Sequence, residues 1–260
     1  MILAIDVGNS SIVLGMYQGQ RLLGQFRVAT SHEKTSDEYA VLLQSFLAHK
    51  SFAFEDVEGV IISSVVPTIM HRLETMCQDY LEKQPLVVGP GVKTSLNIKV
   101  ENPREVGADR IANAVAGIAE YGTPLIIIDF GTATTFCFID KEQSYRGGVI
   151  SPGASISAEA LYTRASKLPR VALGRPKTVL GKNTAESMKA GTFFGYSSLV
   201  DGIVGRIKEE QDVAFAKVIA TGGLASLFED ESSKIDVWDP QLTLKGLRLI
   251  YDKNVDRMER

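Results

Sequence analysis

The chain has 260 residues, 45% of them hydrophobic and 23% charged, with a formal net charge of −3. This is enough apolar material for one large domain or two ordinary ones, and the slight acidity excludes a generally basic nucleic-acid binder. Only Cys77 and Cys137 carry thiols, which is no disulfide framework and no metal-ligand pair by spacing, so a reduced, cytoplasmic protein is expected.

Residues 2–6 read as a strand, residues 7–11 (VGNSS) as a tight turn and residues 12–17 as a second strand. A turn at Gln18, Gly19 and Gln20 leads to a further strand over 22–28. Tyr39, Leu42, Leu43, Phe46 and Leu47 recur at helical spacing within 37–47. A short buried-type strand covers 60–63, Pro67 opens a helix that runs to Leu81, and 86–88 is another strand. Residues 101–109 form a polar loop with Pro103 and Gly107, and a helix follows over 110–121 with Ile111, Val115 and Ile118 on one face. Residues 124–129 (PLIIID) look like a strand buried on both faces. A last helix is expected around 243–251. The opening MILAIDVGN lacks a basic segment and reaches Asp6, so no secretion signal is expected. No apolar run is long enough to cross a bilayer, and His32, His49 and His71 form no helical metal pair.

The strand that ends at Asp129 restarts an earlier pattern. IDVGNSSIV at 5–13 and IDFGTATTF at 128–136 share Ile-Asp, an apolar residue, Gly and then small polar residues. The aspartates stand 123 positions apart, about half the chain. Such a repeat predicts two domains built on one plan, cut near residue 120 into 1–119 and 120–260. Asp-x-Gly is good turn chemistry in any protein. Its duplication points further, to paired hairpins that hold phosphate: Gly8 and Gly131 allow close backbone approach, turn N–H groups face phosphate oxygens, and Asp6 and Asp129 supply oxygen ligands for hard cations. A third Gly-rich segment, VIATGGLA at 218–225, runs from an apolar strand into Thr221, Gly222 and Gly223 and suits an adenosine. Neither a Walker A motif nor a dinucleotide fingerprint is present.

Two hairpins followed by a Gly-Gly segment resemble the actin/hexokinase-like ATPase superfamily. More closely, the chain resembles the type III pantothenate kinases. The motifs that carry this are DVGNS (6–10), SSVVP (63–67), ENPREVGADRIANAVA (101–116), DFGTATTF (129–136), GGVISPG (147–153), LGKNTAESMKAG (180–191) and ATGGLA (220–225). They cover nearly the whole chain, and VGADR and DFGTATTF are the specific ones. The resemblance implies an α/β fold of two RNase H-like domains with an interdomain ATP cleft. It implies phosphorylation of pantothenate by ATP, the first step of coenzyme A biosynthesis. It also implies Mg²⁺ with ATP, a monovalent cation (K⁺ or NH₄⁺) and a homodimer.

Carried over position by position, the resemblance gives the ATP phosphates to Asp6, Val7, Gly8, Asn9, Ser10, Ser11, Ile12 and Val13, with Asp6 also near Mg²⁺ through water. Thr132 contacts ATP and Asp129 holds the monovalent cation. By the same resemblance Asp109 would be the catalytic base, Gly107, Ala108, Asp109 and Arg110 would hold pantothenate, and Thr184 would reach it from a partner subunit. The chain departs mildly from its relatives, with Ser10 in place of Thr, Cys137 in place of an acid and Asn102 in place of an aromatic. On residue chemistry alone, Asp109 and Thr184 are equally good helix caps. Arg104 and Glu105 read as a solvated pair. Another small-molecule kinase of the superfamily, or a nucleotide-binding regulator without catalysis, are the alternatives. The retention of Asp6, Asp109 and Asp129 argues against the second.

Overall fold

A computed structural model describes residues 1–255. Eleven strands form two sheets among these residues: β1 (Ile2–Val7), β2 (Ser11–Gln18), β3 (Arg21–Ala29), β4 (Gly59–Ser64) and β5 (Leu86–Val87) in one, and β6 (Asn97–Ile98), β7 (Leu125–Phe130), β8 (Ala133–Ile139), β9 (Ser144–Pro152), β10 (Lys217–Thr221) and β11 (Val237–Trp238) in the other. The helices are α1 (Ser36–His49), α2 (Pro67–Leu81), α3 (Ala108–Tyr121), α4 (Ala154–Arg164), α5 (Thr184–Glu210) and α6 (Leu242–Asp252). The chain divides into two compact units. One holds Met1–Ser95, Asn102–Ala116 and residues 242–255; the other holds Leu96–Glu101 and Gly117–Gln241.

In the first unit β1 is the central strand, antiparallel to β2 and parallel to β4, in the order β3-β2-β1-β4-β5. Leu3, Ala4, Ile5, Val60, Ile61 and Ile62 are all at 1% exposure or less, which is why β1 and β4 read as unbroken apolar runs instead of alternating. At the sheet edge, β3 alternates exposed and half-buried positions. One face of the sheet packs Leu3, Ile5, Leu14, Met16 and Ile62 against Tyr39, Leu43 and Leu47 of α1 and Ile69, Leu73 and Met76 of α2. α1 begins with a capping box: Glu38 N–H donates to Thr35 Oγ1 at 3.2 Å and Thr35 N–H to Glu38 Oε2 at 2.8 Å. α2 begins with Pro67, whose missing N–H costs nothing in a first helical turn.

α6 belongs to this unit too. Gly246 lies directly against the backbone carbonyl of Ala112 in α3, where a Cβ has no room. The segment just after α6 is fastened by Asn254, whose Oδ1 accepts from Lys93 N–H and whose Nδ2 donates to the Lys93 carbonyl, both at 3.0 Å.

The second sheet runs β11-β10-β7-β8-β9-β6. Setting aside β6 at its edge, this is the first order repeated: a central strand, an antiparallel meander on one side and two parallel strands on the other. The sequence repeat is therefore a repeat of topology. Ile126, Ile128, Phe130, Phe136 and Phe138 pack against Phe193, Val200 and Val204 of α5. Phe228 stacks between Phe130, at 5.2 Å, and Phe193, at 5.5 Å. Cys77 and Cys137 form no disulfide and are both buried, and burial pushes the Cys77 thiol up to about 12. Among the described residues no helix is long and apolar enough to cross a membrane.

The Gly246 contact sets the sign of a substitution. Gly→Ala inside a helix ordinarily stabilises by about 1 kcal/mol. Gly246→Ala is expected to destabilise instead, by about 1–3 kcal/mol, because backbone atoms block the new methyl. Urea unfolding checks this, and a midpoint above the parent's would show that α6 and α3 are not in this contact.

Candidate active site

Asp6 is the last residue but one of β1, half-buried, and paired in register with Ser63 of the parallel β4. Ser63, fully buried, donates its hydroxyl to Asp6 Oδ1 at 2.5 Å. The turn that follows is closed by Gly8 N–H donating to the Ser11 carbonyl at 3.0 Å. The end of β3 holds it from outside. Thr30 Oγ1 donates to the Gly8 carbonyl at 2.6 Å, Thr30 N–H to the Ser10 carbonyl at 3.2 Å, and Arg27 to Ser11 Oγ at 2.9 Å. Asn9 and Ser10 are exposed at the tip. Val7 and Ile12 are paired across the hairpin with side chains in the core, and Val13, paired with Asp6, is buried on the other face, so only their backbones are available to a ligand.

The second hairpin has the same parts in its own unit. Asp129 is the last residue but one of β7 and pairs in register with Thr221 of the parallel β10, as Asp6 does with Ser63. Its turn is tighter. Phe130 pairs with Thr134 across three residues, where Val7 pairs with Ile12 across four, and Gly131 N–H donates to the Ala133 carbonyl at 3.0 Å. Gly222 has φ +97, and a Cβ there would sit 2.5 Å from Asp129 Oδ1 and 2.6 Å from Phe130 N. The Gly-Gly segment thus lies directly against the Asp129 carboxylate, an approach that needs glycine for both space and backbone conformation. Thr132, half-buried, accepts on its carbonyl from Gly153 N–H at 3.0 Å. The GGVISPG segment is in turn anchored by Tyr196, whose hydroxyl donates to the Pro152 carbonyl and lies 2.7 Å from Ser157 Oγ.

Asp109 is not the residue before a helix. α3 starts at Ala108, and the Gly107 carbonyl accepts from Ile111 N–H at 3.1 Å, which puts Asp109 inside the first turn. Its Oδ1 is buried and accepts no hydrogen bond from any described residue. Gly107 leaves the space that Oδ1 occupies, and Arg110 is the next residue along. A carboxylate oxygen kept from water without a donor is costly, and this one stands at the N-terminal turn of a helix. In the loop before it, Glu105 accepts from Asn102 Nδ2 at 2.7 Å.

Thr184 is likewise not a cap. The N-cap of α5 is Asn183, whose Oδ1 accepts from Glu186 N–H at 2.9 Å, and Thr184 is the first helical residue, exposed. Ser63, which donates to Asp6, and Thr30, which holds the first turn, are positions that sequence reading does not single out. Ser63 stands in SSVVP, and its signal is a hydroxyl at the end of the strand beside β1. Thr30 carries no local signal at all, because its contacts depend on how β3 folds back on β2.

A sequence model described as type III pantothenate kinase matches residues 2–206. The chain belongs to the type III pantothenate kinase family. It is 60% identical over 255 residues to the type III pantothenate kinase of Shouchella clausii, covering 98% of this chain and 100% of that one. It is also 56% identical over 259 residues to the corresponding protein of a Geobacillus species, covering 100% of both. Among solved structures it is similar to a provisionally assigned 2-dehydro-3-deoxygalactonokinase protein from Sinorhizobium meliloti, with a TM-score of 0.63 at 14% identity over 97% of this chain and 96% of that one. Ethanolamine utilization protein EutJ from Carboxydothermus hydrogenoformans gives a TM-score of 0.52 at 16% identity, over 95% and 89%. These likenesses concern the fold alone, an α/β chain with two sheets of repeated strand order.

The cap assignment is testable by stability. Asn183→Ala should cost about 1 kcal/mol, whereas Thr184→Ala, at an exposed first-turn position, should cost less than about 0.5 kcal/mol. Chemical unfolding of both variants checks this, and a larger loss from Thr184→Ala would return the cap to Thr184.

Proposed function

We propose that this chain transfers a phosphoryl group from ATP to pantothenate, giving 4'-phosphopantothenate in the first step of coenzyme A biosynthesis. Membership of the type III pantothenate kinase family over nearly the full length supports the reaction. The single observation that supports a chemical role within it is Asp109: a carboxylate oxygen at the start of α3, shielded from water and without a donor among the described residues.

Phosphoryl transfer through a loose transition state asks the protein for position and charge more than for covalent chemistry. Asp109 accepts the proton of the attacking hydroxyl. Gly107 and Ala108 give the substrate room at the helix start, and Arg110 presents a planar donor fork that suits the pantothenate carboxylate. The first hairpin, Asp6 with Gly8, Asn9, Ser10 and Ser11, holds the ATP phosphates with backbone and hydroxyl donors. Val7, Ile12 and Val13 serve through backbone alone. Thr132 contacts ATP from the second hairpin, and Thr184 reaches pantothenate across a homodimer. The protein works in the cytoplasm.

The cation sites fit the donor chemistry. No group of three His, Cys, Asp or Glu side chains builds a metal cage among the described residues. A single carboxylate acting through water, as Asp6 would, is how Mg²⁺ is usually held when phosphates supply its other oxygens. Bound there, Mg²⁺ spreads the negative charge of the phosphates. Asp129, pressed by the backbone at Gly222, is an oxygen donor suited to a monovalent cation, K⁺ or NH₄⁺.

Two measurements check this reading. Asp109→Asn should lower kcat by about 10²- to 10⁴-fold while leaving the melting temperature near the parent's; near-normal turnover would remove Asp109 as the base. Pantothenate phosphorylation in Mg²⁺ should be strong in K⁺ and weak in Na⁺, and Asp129→Ala should blunt that difference more than it raises KM for pantothenate. Equal activation of parent and variant by K⁺ would place the cation elsewhere.

A further inference from the structure

We propose that the end of β3, through Thr30 and Arg27, is the positioning device of the first phosphate turn. This rests on the reading of that turn as the phosphate holder. Three of the four turn residues are gripped from this one place: the Gly8 carbonyl by Thr30 Oγ1, the Ser10 carbonyl by Thr30 N–H, and Ser11 Oγ by Arg27.

Each grip leaves the turn's donors for a ligand. Thr30 engages only carbonyl oxygens, so it orients the peptide planes without consuming an N–H. The guanidinium donates to Ser11 Oγ, so the Ser11 hydroxyl acts there as an acceptor and its own hydrogen remains to be given to an anion. The Gly8 N–H closes the turn on the Ser11 carbonyl, and the grips from Thr30 and Arg27 fall on acceptors and use none of the turn's donors.

The two residues after Thr30 are fixed from two helices. The neighbouring Ser31 carbonyl accepts from Tyr39 of α1 at 2.9 Å. His32 Nδ1 lies 3.0 Å from Thr68 Oγ1 of α2, and the His32 carbonyl accepts from Arg72 of the same helix. The segment therefore joins the helical layer to the turn. Its purpose is preorganisation: without it, the turn would have to be ordered at the expense of binding.

The test is the affinity for MgATP, and for a non-hydrolysable ATP analogue, measured by calorimetry on the full chain. Thr30→Val keeps shape and N–H and removes one hydroxyl. It should weaken nucleotide binding and raise KM for ATP by about 3- to 10-fold, with KM for pantothenate unchanged. Thr30→Ser should restore parental affinity. Arg27 is exposed, so Arg27→Met is expected to fold normally, and it should weaken nucleotide binding by a similar factor even if Thr30→Val proves unstable. Parental nucleotide affinity in both Thr30→Val and Arg27→Met, whatever their melting temperatures, overturns the proposal. A parent protein that phosphorylates nothing and binds no nucleotide overturns the phosphate-turn reading beneath it.

Discussion

A carboxylate near the end of a strand buried on both faces has to be met by donors that neighbouring strands supply. β1 and β7 are such strands, and each carries its aspartate one residue from its end. In each sheet the parallel neighbour brings a buried hydroxyl residue into register, Ser63 beside Asp6 and Thr221 beside Asp129. The parallel crossover is thus part of the site as well as of the scaffold. It places a polar side chain at a depth where water does not provide one, and the turn beyond it inherits a fixed starting point.

Much of this is legible in the residues. The two Ile-Asp-x-Gly segments predict a duplicated plan, and the sheets have the same strand order around β1 and β7. Inner strands declare themselves as apolar runs, and α2 carries its start signal in Pro67. What is not legible depends on partners far along the chain. Thr30 meets Gly8 only because β3 returns along β2. The grouping of residues 242–255 with the first unit is decided by fits such as Gly246 against Ala112, which no periodicity reports. Helix starts err by one or two residues because adjacent polar residues compete for the same cap: Asn183 takes the bond that Thr184 could have taken, and Gly107 precedes a helix that already includes Asp109.

Asp109 shows where local rules yield. An acidic residue in a first helical turn is favoured by the helix dipole, yet its Oδ1 is withdrawn from water and from donors among the described residues. An unmet buried acceptor costs about 1–3 kcal/mol. Residues that break a stabilising rule in this way concentrate where a ligand completes them. Ser63 and Asp6 form the opposite case, a half-buried carboxylate already met by a buried hydroxyl within the protein. One carboxylate is held still, and the other is held open.

The difference in turn length between the two hairpins has a consequence for the duplication itself. Four residues separate the paired ends of the first hairpin and three those of the second. A shortened turn has one amide fewer to offer an anion and less span over which to wrap it, while its aspartate is pressed instead by the Gly222 backbone. The halves share a plan but are no longer spare copies of each other. A hairpin transplanted from one into the other would bring a loop of the wrong length to the wrong neighbour, and so the two halves are set apart by a single residue of loop.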